Sequence, residues 1–257
     1  MVHRITALAL ALLAYSSAPS LALAAPSCPQ HYADGRSPQI VNEKLARSTQ
    51  LLCYRAFGLM HSGLTRTPLW SAEYLTPSHL DAAKSLSRED SFHPEPQLPA
   101  SQRAELADYA RSGFDRGHMA PNGDMPDRAS QQQSFSLANM VPQDADNNRH
   151  VWAGIEQAVR KLAQKEGGLY VITGPAFIGR ELRKVGNVLV PSHLYKVVYS
   201  PRQNAAAAYF IANQSDARYD TISVAELEGK LGINLLPALS PRQKETMLRL
   251  PRPKGKS

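Results

Sequence analysis

The chain has 257 residues, 43% of them apolar and 20% charged, with a formal net charge of +7. These values exclude a disordered, collagen-like or polytopic membrane protein and fit one large domain or two small ones. A chain of this size buries well over half of its unfolded surface, so folding does not require a metal or disulfide scaffold.

Met1 to Arg4 form a short basic start, Ile5 to Tyr15 an apolar run, and Ala22-Leu23-Ala24 a small-x-small end. That order predicts a cleaved signal peptide over residues 1–24 and a periplasmic or secreted protein. The run is too short to span a bilayer, and no later stretch reaches about 18 apolar residues, so no membrane segment is expected. Residues 25–257 read as a single domain with its core over about 50–240 and a basic C-terminal tail at 249–257. Cleavage removes one positive charge, Arg4, from the total of +7 and no acid. The remaining excess suits a polyanionic partner such as nucleic acid. The signal is weak alone, because part of the surplus sits in a tail expected to be solvated and mobile. Cys28 and Cys53 are the only cysteines. In an oxidising compartment an even count of two suggests one disulfide, and two buried free thiols are the alternative if the chain is not exported.

Leu51–Leu59 and Thr67–Leu75 read as two strands joined by a turn at His61-Ser62-Gly63. Thr76–Ala104 is rich in Ser, Pro, Asp and Glu and lacks apolar periodicity, so it reads as a long surface excursion of the kind that is often functional. Between Asn148 and Gln164, Val151, Trp152, Ile155, Val159 and Leu162 recur at helical spacing, with Asn147 or Asp146 as the expected cap. Leu169–Thr173, ended by Gly174-Pro175, then His193–Tyr199 and Ala205–Ala212, read as strands. Ser223–Leu231 opens with Ser and has Glu226 three residues later, a capping-box start for a helix. The expected class is α/β or α+β, with a mixed central β-sheet flanked by helices.

Chemistry concentrates in Ser112–Met125, SGFDRGHMAPNGDM. Gly117 is expected to turn the backbone just before His118 and present its imidazole. A neutral histidine can take a proton from water, and Arg116 offers a planar, permanently charged fork to a phosphate. Against this, a lone loop histidine is more often a hydrogen-bonding residue, and the Asp115-Arg116 pair a local ion pair. The downstream pattern shifts the balance. Asn148, Trp152, Glu156 and Arg160 are spaced by four and form a slanted stripe along one side of the predicted helix. Asn148 at the helix start brings a hard carboxamide oxygen suited to magnesium, a plain cap being the alternative. Glu156, roughly 12 Å further along the axis, is too distant to share an ion directly with Asn148. Its reading is a residue behind the metal, against an ion pair with Arg160 on a solvated face. Trp152 reads as core.

Together these elements resemble the DNA/RNA non-specific endonucleases, sugar-non-specific nucleases with a ββα-metal (His-Me finger) active site. DRGH matches at Asp115–His118, extended by Met119-Ala120-Pro121; the Asn-x-x-Pro-Gln element matches Asn139–Gln143; and the metal-binding asparagine with its following Trp and Glu matches Asn148, Trp152 and Glu156. Similarity runs from about Tyr54 to Leu239. The resemblance implies His118 as general base and Asn148 as the direct protein ligand to Mg2+, with Mn2+ able to substitute. It likens Arg116 to the DRGH arginine that supports phosphate or site geometry, and Arg66 to an upstream arginine that stabilises charge. Glu156 resembles the residue holding metal-bound water, with Arg160 and Asp115 supporting and Asn139 orienting the site. Asp124 has no counterpart in the pattern and stands as a candidate extra acid.

The reaction so implied is hydrolysis of DNA and RNA phosphodiester bonds to 5′-phosphate ends, with little sequence preference. Two rivals stand beside it: a non-catalytic basic nucleic-acid-binding protein of the same fold, and a phosphodiesterase for small substrates. A homodimer is left open. No GxSxG elbow, HExxH or P-loop occurs.

Overall fold

The computed structural model describes residues 27–253; the expected signal peptide and the last four residues of the basic tail lie outside them. Its centre is a seven-stranded sheet built from β1 (Thr49–Cys53), β2 (Gly58–Ser62), β3 (Thr67–Leu75), β6 (Leu169–Ala176), β7 (His193–Ser200), β8 (Ala205–Ala212) and β9 (Tyr219–Ile222). The spatial order is β9-β8-β7-β6-β3-β2-β1. The class is the α+β one expected. The pairing differs from the mixed sheet anticipated, because every ladder in this sheet is antiparallel. Hairpins join the outer strands, and no short parallel crossover is needed.

Strand side chains alternate between faces, and both faces are covered. On one, Trp70, Ala72, Ile172, Tyr195, Val197 and Ala208 pack against Val224, Leu227 and Leu231 of helix α3 (Val224–Leu231). On the other, Leu75, Val171, Leu194 and Val198 pack against Trp152 and against Ile155, Val159 and Leu162 of helix α2 (Ala153–Glu166), which follows it. Burial on both sides is why these strands read as nearly continuous apolar runs. Ser223 Oγ accepts from Glu226 N at 3.1 Å to start α3, as the capping pattern predicts, and Gly232 ends it at φ +68°.

Several boundaries differ from the sequence reading. Leu51–Leu59 is two strands, because Tyr54–Phe57 forms a tight turn closed by Tyr54 N donating to Phe57 O at 2.9 Å. Tyr54, Ala56 and Phe57 are nevertheless buried, so the turn carries strand-like composition. The turn expected near His61–Gly63 does join β2 to β3. β6 runs on through Gly174 and Pro175 to Ala176, beyond its last pairing with β3 at Ser71–Thr173, where a missing N–H costs that neighbour no ladder bond. A Cβ at Gly174 would meet Leu69 O at 2.6 Å, so glycine there serves close packing rather than a turn. Within the excursion, Pro77–Lys84 forms helix α1, with Thr76 Oγ1 capping His79 N at 3.2 Å.

Cys28 and Cys53 form the expected disulfide, tying the N-terminal segment to the end of β1 across a separation of 25 residues. The basic tail departs from expectation: its first half is docked. Leu248 N donates to Ala206 O at 3.1 Å, Tyr209 Oη donates to Pro251 O at 2.5 Å, and Leu248 and Leu250 pack into the core beneath α2. No helix among the described residues is long and apolar enough to cross a membrane.

Candidate active site

The DRGH residues sit on a strand, β4 (Phe114–His118), paired antiparallel with β5 (Met140–Asp144); the sequence had suggested a loop. Gly117 does not turn the chain. It lies opposite Val141, and a Cβ there would meet Gln143 Oε1 at 2.0 Å and Gln143 Cβ at 2.7 Å. Glycine is required so that the two strands and the buried Gln143 can approach. Past His118, the fully buried Asn139 staples the chain down. Its Oδ1 accepts from Ala120 N and from Ser71 Oγ, both at 2.9 Å, while Nδ2 donates to Ala120 O at 2.9 Å and Ser134 O at 3.0 Å. Asn139 thereby connects the β4–β5 ribbon to the central sheet.

The helix after β5 starts a turn earlier than expected, at Ala145, and its cap is Asp144, whose Oδ1 accepts from Asn147 N at 2.9 Å. Asn148–Trp152 forms a π-helical turn before α2. Its i→i+5 bonding locally unwinds the spiral and limits the drift expected of a four-residue repeat. Asn148, Glu156 and Arg160 consequently share one cleft, while Trp152 is core, as expected.

That cleft, about 380 Å³, is bordered by His118, Asn148, Glu156 and four arginines, Arg88, Arg116, Arg149 and Arg160. His118 packs edge-on to Phe135 at 4.9 Å and tilted against Phe92 at 5.8 Å between ring centroids. Its Nε2 is sealed from solvent with no hydrogen-bond partner, leaving Nδ1 as the nitrogen with access to the cleft. Burial, with the Arg88 and Arg116 charges acting in the same direction and Asp90 only partly opposing, pushes the imidazole down to about 3. The Arg116 guanidinium lies over the Phe92 ring at 4.0 Å and has no carboxylate partner among the described residues.

Asn148 is oriented by Asp115. A carboxylate only accepts, so the contact at 3.0 Å must come from Asn148 Nδ2, which turns Oδ1 away from Asp115. Arg149 grips the same carboxylate through Nε at 2.9 Å and Nη2 at 2.7 Å. Burial raises the Asp115 pKa, but these hydrogen bonds and the Arg149 and Arg116 charges outweigh it and hold the group below its ordinary value.

Arg160 is clamped between Asp124, through a short Nε contact, and Glu156 Oε2 at 3.4 Å. Asp124 is therefore a buried partner for Arg160 rather than a free acid. Burial raises the Glu156 pKa against the pull of Arg160 and Lys196. Beneath lies Glu73, fully enclosed, whose pKa burial and Asp124 push well up while Lys196 and Arg160 pull it back. Lys196 Nζ donates to Thr173 Oγ1 at 2.7 Å. Glu73 and Lys196 were not picked out from the sequence; a lone charge inside each apolar strand run was the available signal.

Arg66 is not in the cleft. It stands in the turn between β2 and β3, at φ +56°, and its guanidinium donates to Arg103 O at 3.2 Å and Ser101 O at 2.9 Å. The upstream arginine that does reach the site is Arg88, carried by the irregular stretch after α1. Buried Glu95 anchors that stretch, accepting from Tyr54 Oη and from Ser136 Oγ at 2.7 Å.

The family model for DNA/RNA non-specific endonucleases matches residues 37–241. The chain belongs to that family. It is 39% identical over 166 residues to Nuclease C1 of Cunninghamella echinulata var. echinulata, covering 58% of this chain and 66% of the relative. It is 31% identical over 244 residues to a nuclease of Nostoc sp., covering 88% of this chain and 87% of the relative. Human mitochondrial nuclease EXOG is 31% identical over 234 residues, and the match spans 63% of its length. The chain thus spans less than two thirds of Nuclease C1 and of human EXOG. The solved structure of the EndoG/EndoGI complex superposes with a TM-score of 0.65 at 26% identity, covering 75% of this chain and 88% of the other.

Proposed function

We propose that the protein is an exported, metal-dependent endonuclease that hydrolyses phosphodiester bonds of DNA and RNA with little sequence preference. The observation that carries this is the shared cleft: the open nitrogen of His118 and the oriented amide of Asn148 meet within one ring of arginines. His118 takes the proton from an attacking water. Arg88 and Arg116 hold the phosphate and its developing charge. An arriving phosphate also neutralises part of the positive field that depresses His118, which makes the imidazole a stronger base once substrate is in place.

The donor set fits a hard, well-hydrated cation. Among the described residues no three His, Cys, Asp or Glu side chains gather to cage an ion, and the amide oxygen of Asn148 is turned from its partner towards the cleft. Asn122 Oδ1, on the cleft wall, is buried without a donor. One neutral protein ligand with several waters and a substrate phosphate is the environment magnesium tolerates, and manganese is expected to substitute. When bound, the ion supplies charge stabilisation to the phosphate and the leaving 3′ oxygen, giving 5′-phosphate ends. Glu156 accepts hydrogen bonds from water on the cleft floor, and Arg160, fixed by Asp124, keeps that carboxylate in place.

A cleft lined by guanidinium groups reads backbone phosphate, not base edges, which supports weak sequence preference. Export follows from the leader expected over residues 1–24 and places the activity in the periplasm or outside the cell. The test is digestion of plasmid DNA and of RNA by the mature protein with Mg2+, Mn2+ or chelator. Both substrates are cut with metal and spared with chelator. His118→Ala abolishes cutting and keeps binding. No cutting with Mg2+, Mn2+ or Ca2+ sinks the reading in favour of a binding protein.

A further inference from the structure

A second, roomier cleft of about 630 Å³ lies between α2 and the docked C-terminal segment. Its floor is apolar, with Leu162, Leu250 and Pro251, and its rim carries Lys161 and Lys165 from the helix and Arg249 and Arg252 from the segment. No acid lines it. All four cations are exposed, and none is ion-paired among the described residues. The segment is held there by its own bonds to β8, at Ala206 O and Tyr209 Oη, and by burial of Leu248 and Leu250. The arginines are thus placed against the helix by the fold.

Four like charges around one groove repel each other, and the structure supplies no internal counter-charge. An anionic ligand relieves that repulsion. Lys161 and Lys165 are one turn apart, about 6 Å along the axis. That is nearly two phosphate rises of a B-form strand, at about 3.4 Å each. The same helix carries Glu156 and Arg160 into the reaction cleft, and Gln157, Lys161 and Lys165 form the neighbouring row. Between Glu156 and Lys165 the helix rises only about 14 Å, well within one turn of duplex.

We infer that this groove is a second binding site for the sugar-phosphate backbone of nucleic acid, which holds a polymer at a distance from the bond being cut. It rests on the nuclease reading above and extends it. The groove contributes to the capture of long substrates and contributes nothing to the chemistry, so small phosphodiesters do not sense it.

The experiment uses the mature full chain and a variant with Lys161→Ala, Lys165→Ala, Arg249→Ala and Arg252→Ala. A charge-preserving control carries Lys161→Arg and Lys165→Arg. Binding of a 30-base-pair duplex is measured by fluorescence anisotropy in a His118→Ala background, across salt concentrations. Hydrolysis of a nitrophenyl phosphodiester of a single nucleoside is measured in the active background. The expected result is affinity for the duplex weakened about tenfold or more, with the slope of log K against log salt reduced by about two to four. The control binds normally, and kcat/KM on the small substrate is unchanged. Unchanged duplex affinity and salt slope overturn the proposal. So does loss of binding to phosphatidylglycerol vesicles with duplex affinity intact, which assigns the groove to a lipid surface. Loss of small-substrate hydrolysis alongside normal duplex binding also overturns it, by tying the groove to the chemistry. If the unmodified protein cuts nothing, the nuclease reading fails separately, while the binding comparison still decides the groove.

Discussion

Asp115 Oδ2 and Asn148 Nδ2 lie 3.0 Å apart, and this one contact decides which end of the Asn148 amide meets the cleft. The two residues come from different elements, β4 and the π turn before α2, so the DRGH aspartate positions the side chain proposed to hold the metal. Replacing Asp115 with Asn offers the amide a partner that can donate or accept, and the orientation is no longer enforced. Asp115→Asn is expected to lower activity about 10- to 100-fold at limiting Mg2+, the usual cost of losing a residue behind a metal ligand. Excess Mg2+ restores part of the rate. Arg149→Ala, which removes the exposed grip on Asp115 and one cation of the cleft border but keeps the Asp115–Asn148 bond, costs less. Magnesium titrations of duplex cleavage check all three; equal loss at every Mg2+ concentration contradicts the orienting role.

Arg88 and Arg66 separate in the same way. Arg88 borders the cleft, whereas Arg66 spends its guanidinium on the carbonyls of Ser101 and Arg103. Arg88→Ala is expected to reduce kcat on DNA about 100-fold, the scale of losing one donor to developing charge. Arg66→Ala is expected to leave kcat within a few-fold and to cost about 1–2 kcal/mol of stability. Steady-state kinetics with urea denaturation of each variant reads both. A catalytic defect in Arg66→Ala larger than that in Arg88→Ala reverses the assignment.

That contrast shows where the sequence is legible. β3 and β8 are recovered at their residue limits because short apolar runs covered on both faces have few alternatives. α2 declares itself through Ile155, Val159 and Leu162, which must face the sheet. His118, Asn148, Glu156 and Arg160, singled out in the sequence, border one cleft because a paired strand and a helix hold their side chains in fixed directions. Arg88 obeys no such rule. Its position depends on an irregular stretch anchored by Glu95 to Tyr54 and Ser136, contacts that no spacing encodes. α1 was legible in principle from Thr76-Pro77, a capping residue followed by proline at the first helical position. The turn at Tyr54–Phe57 was not, because Tyr54, Ala56 and Phe57 are buried and apolar like the residues of the strands it joins.

Gly117 supplies a third prediction. Its role is room for Gln143, so even the smallest side chain intrudes, with Gln143 Oε1 at 2.0 Å from the would-be Cβ. Gly117→Ala is expected to destabilise the protein by about 1–3 kcal/mol, the range for overpacking, and to cut activity by displacing the neighbouring His118. Combining it with Gln143→Ala removes the Oε1 clash but leaves Gln143 Cβ at 2.7 Å, so recovery is partial. Thermal unfolding and cleavage assays on the single and double variants test this. Full activity in Gly117→Ala contradicts the packing role.

Acid acts on two imidazoles that the fold keeps neutral. Burial pushes His61 down to about 4, against its bond to Gln102 O, and pushes His118 down to about 3. In the unfolded chain each takes up a proton near pH 6.5. The unfolded state therefore binds more protons below that point, and stability present above pH 6.5 is lost as pH falls towards the folded values. For the fully buried His61 the loss is on the order of 3 kcal/mol by pH 4. His61→Gln keeps a donor for Gln102 O; it is expected to start less stable at pH 8 but to lose stability less steeply between pH 6.5 and 4. Urea midpoints across that range read the slope, and parallel curves for both proteins remove His61 as the cause. His118 gives the same window a different consequence for activity. A base with an ordinary value would be half protonated at about pH 6.5, whereas this one stays neutral well below it. The kcat/KM on DNA, which reports the free enzyme, is therefore expected to show no His118-linked fall near pH 6.5 while the protein remains folded. A clear half-loss there in folded enzyme would mean that His118 does not have the depressed value its surroundings impose.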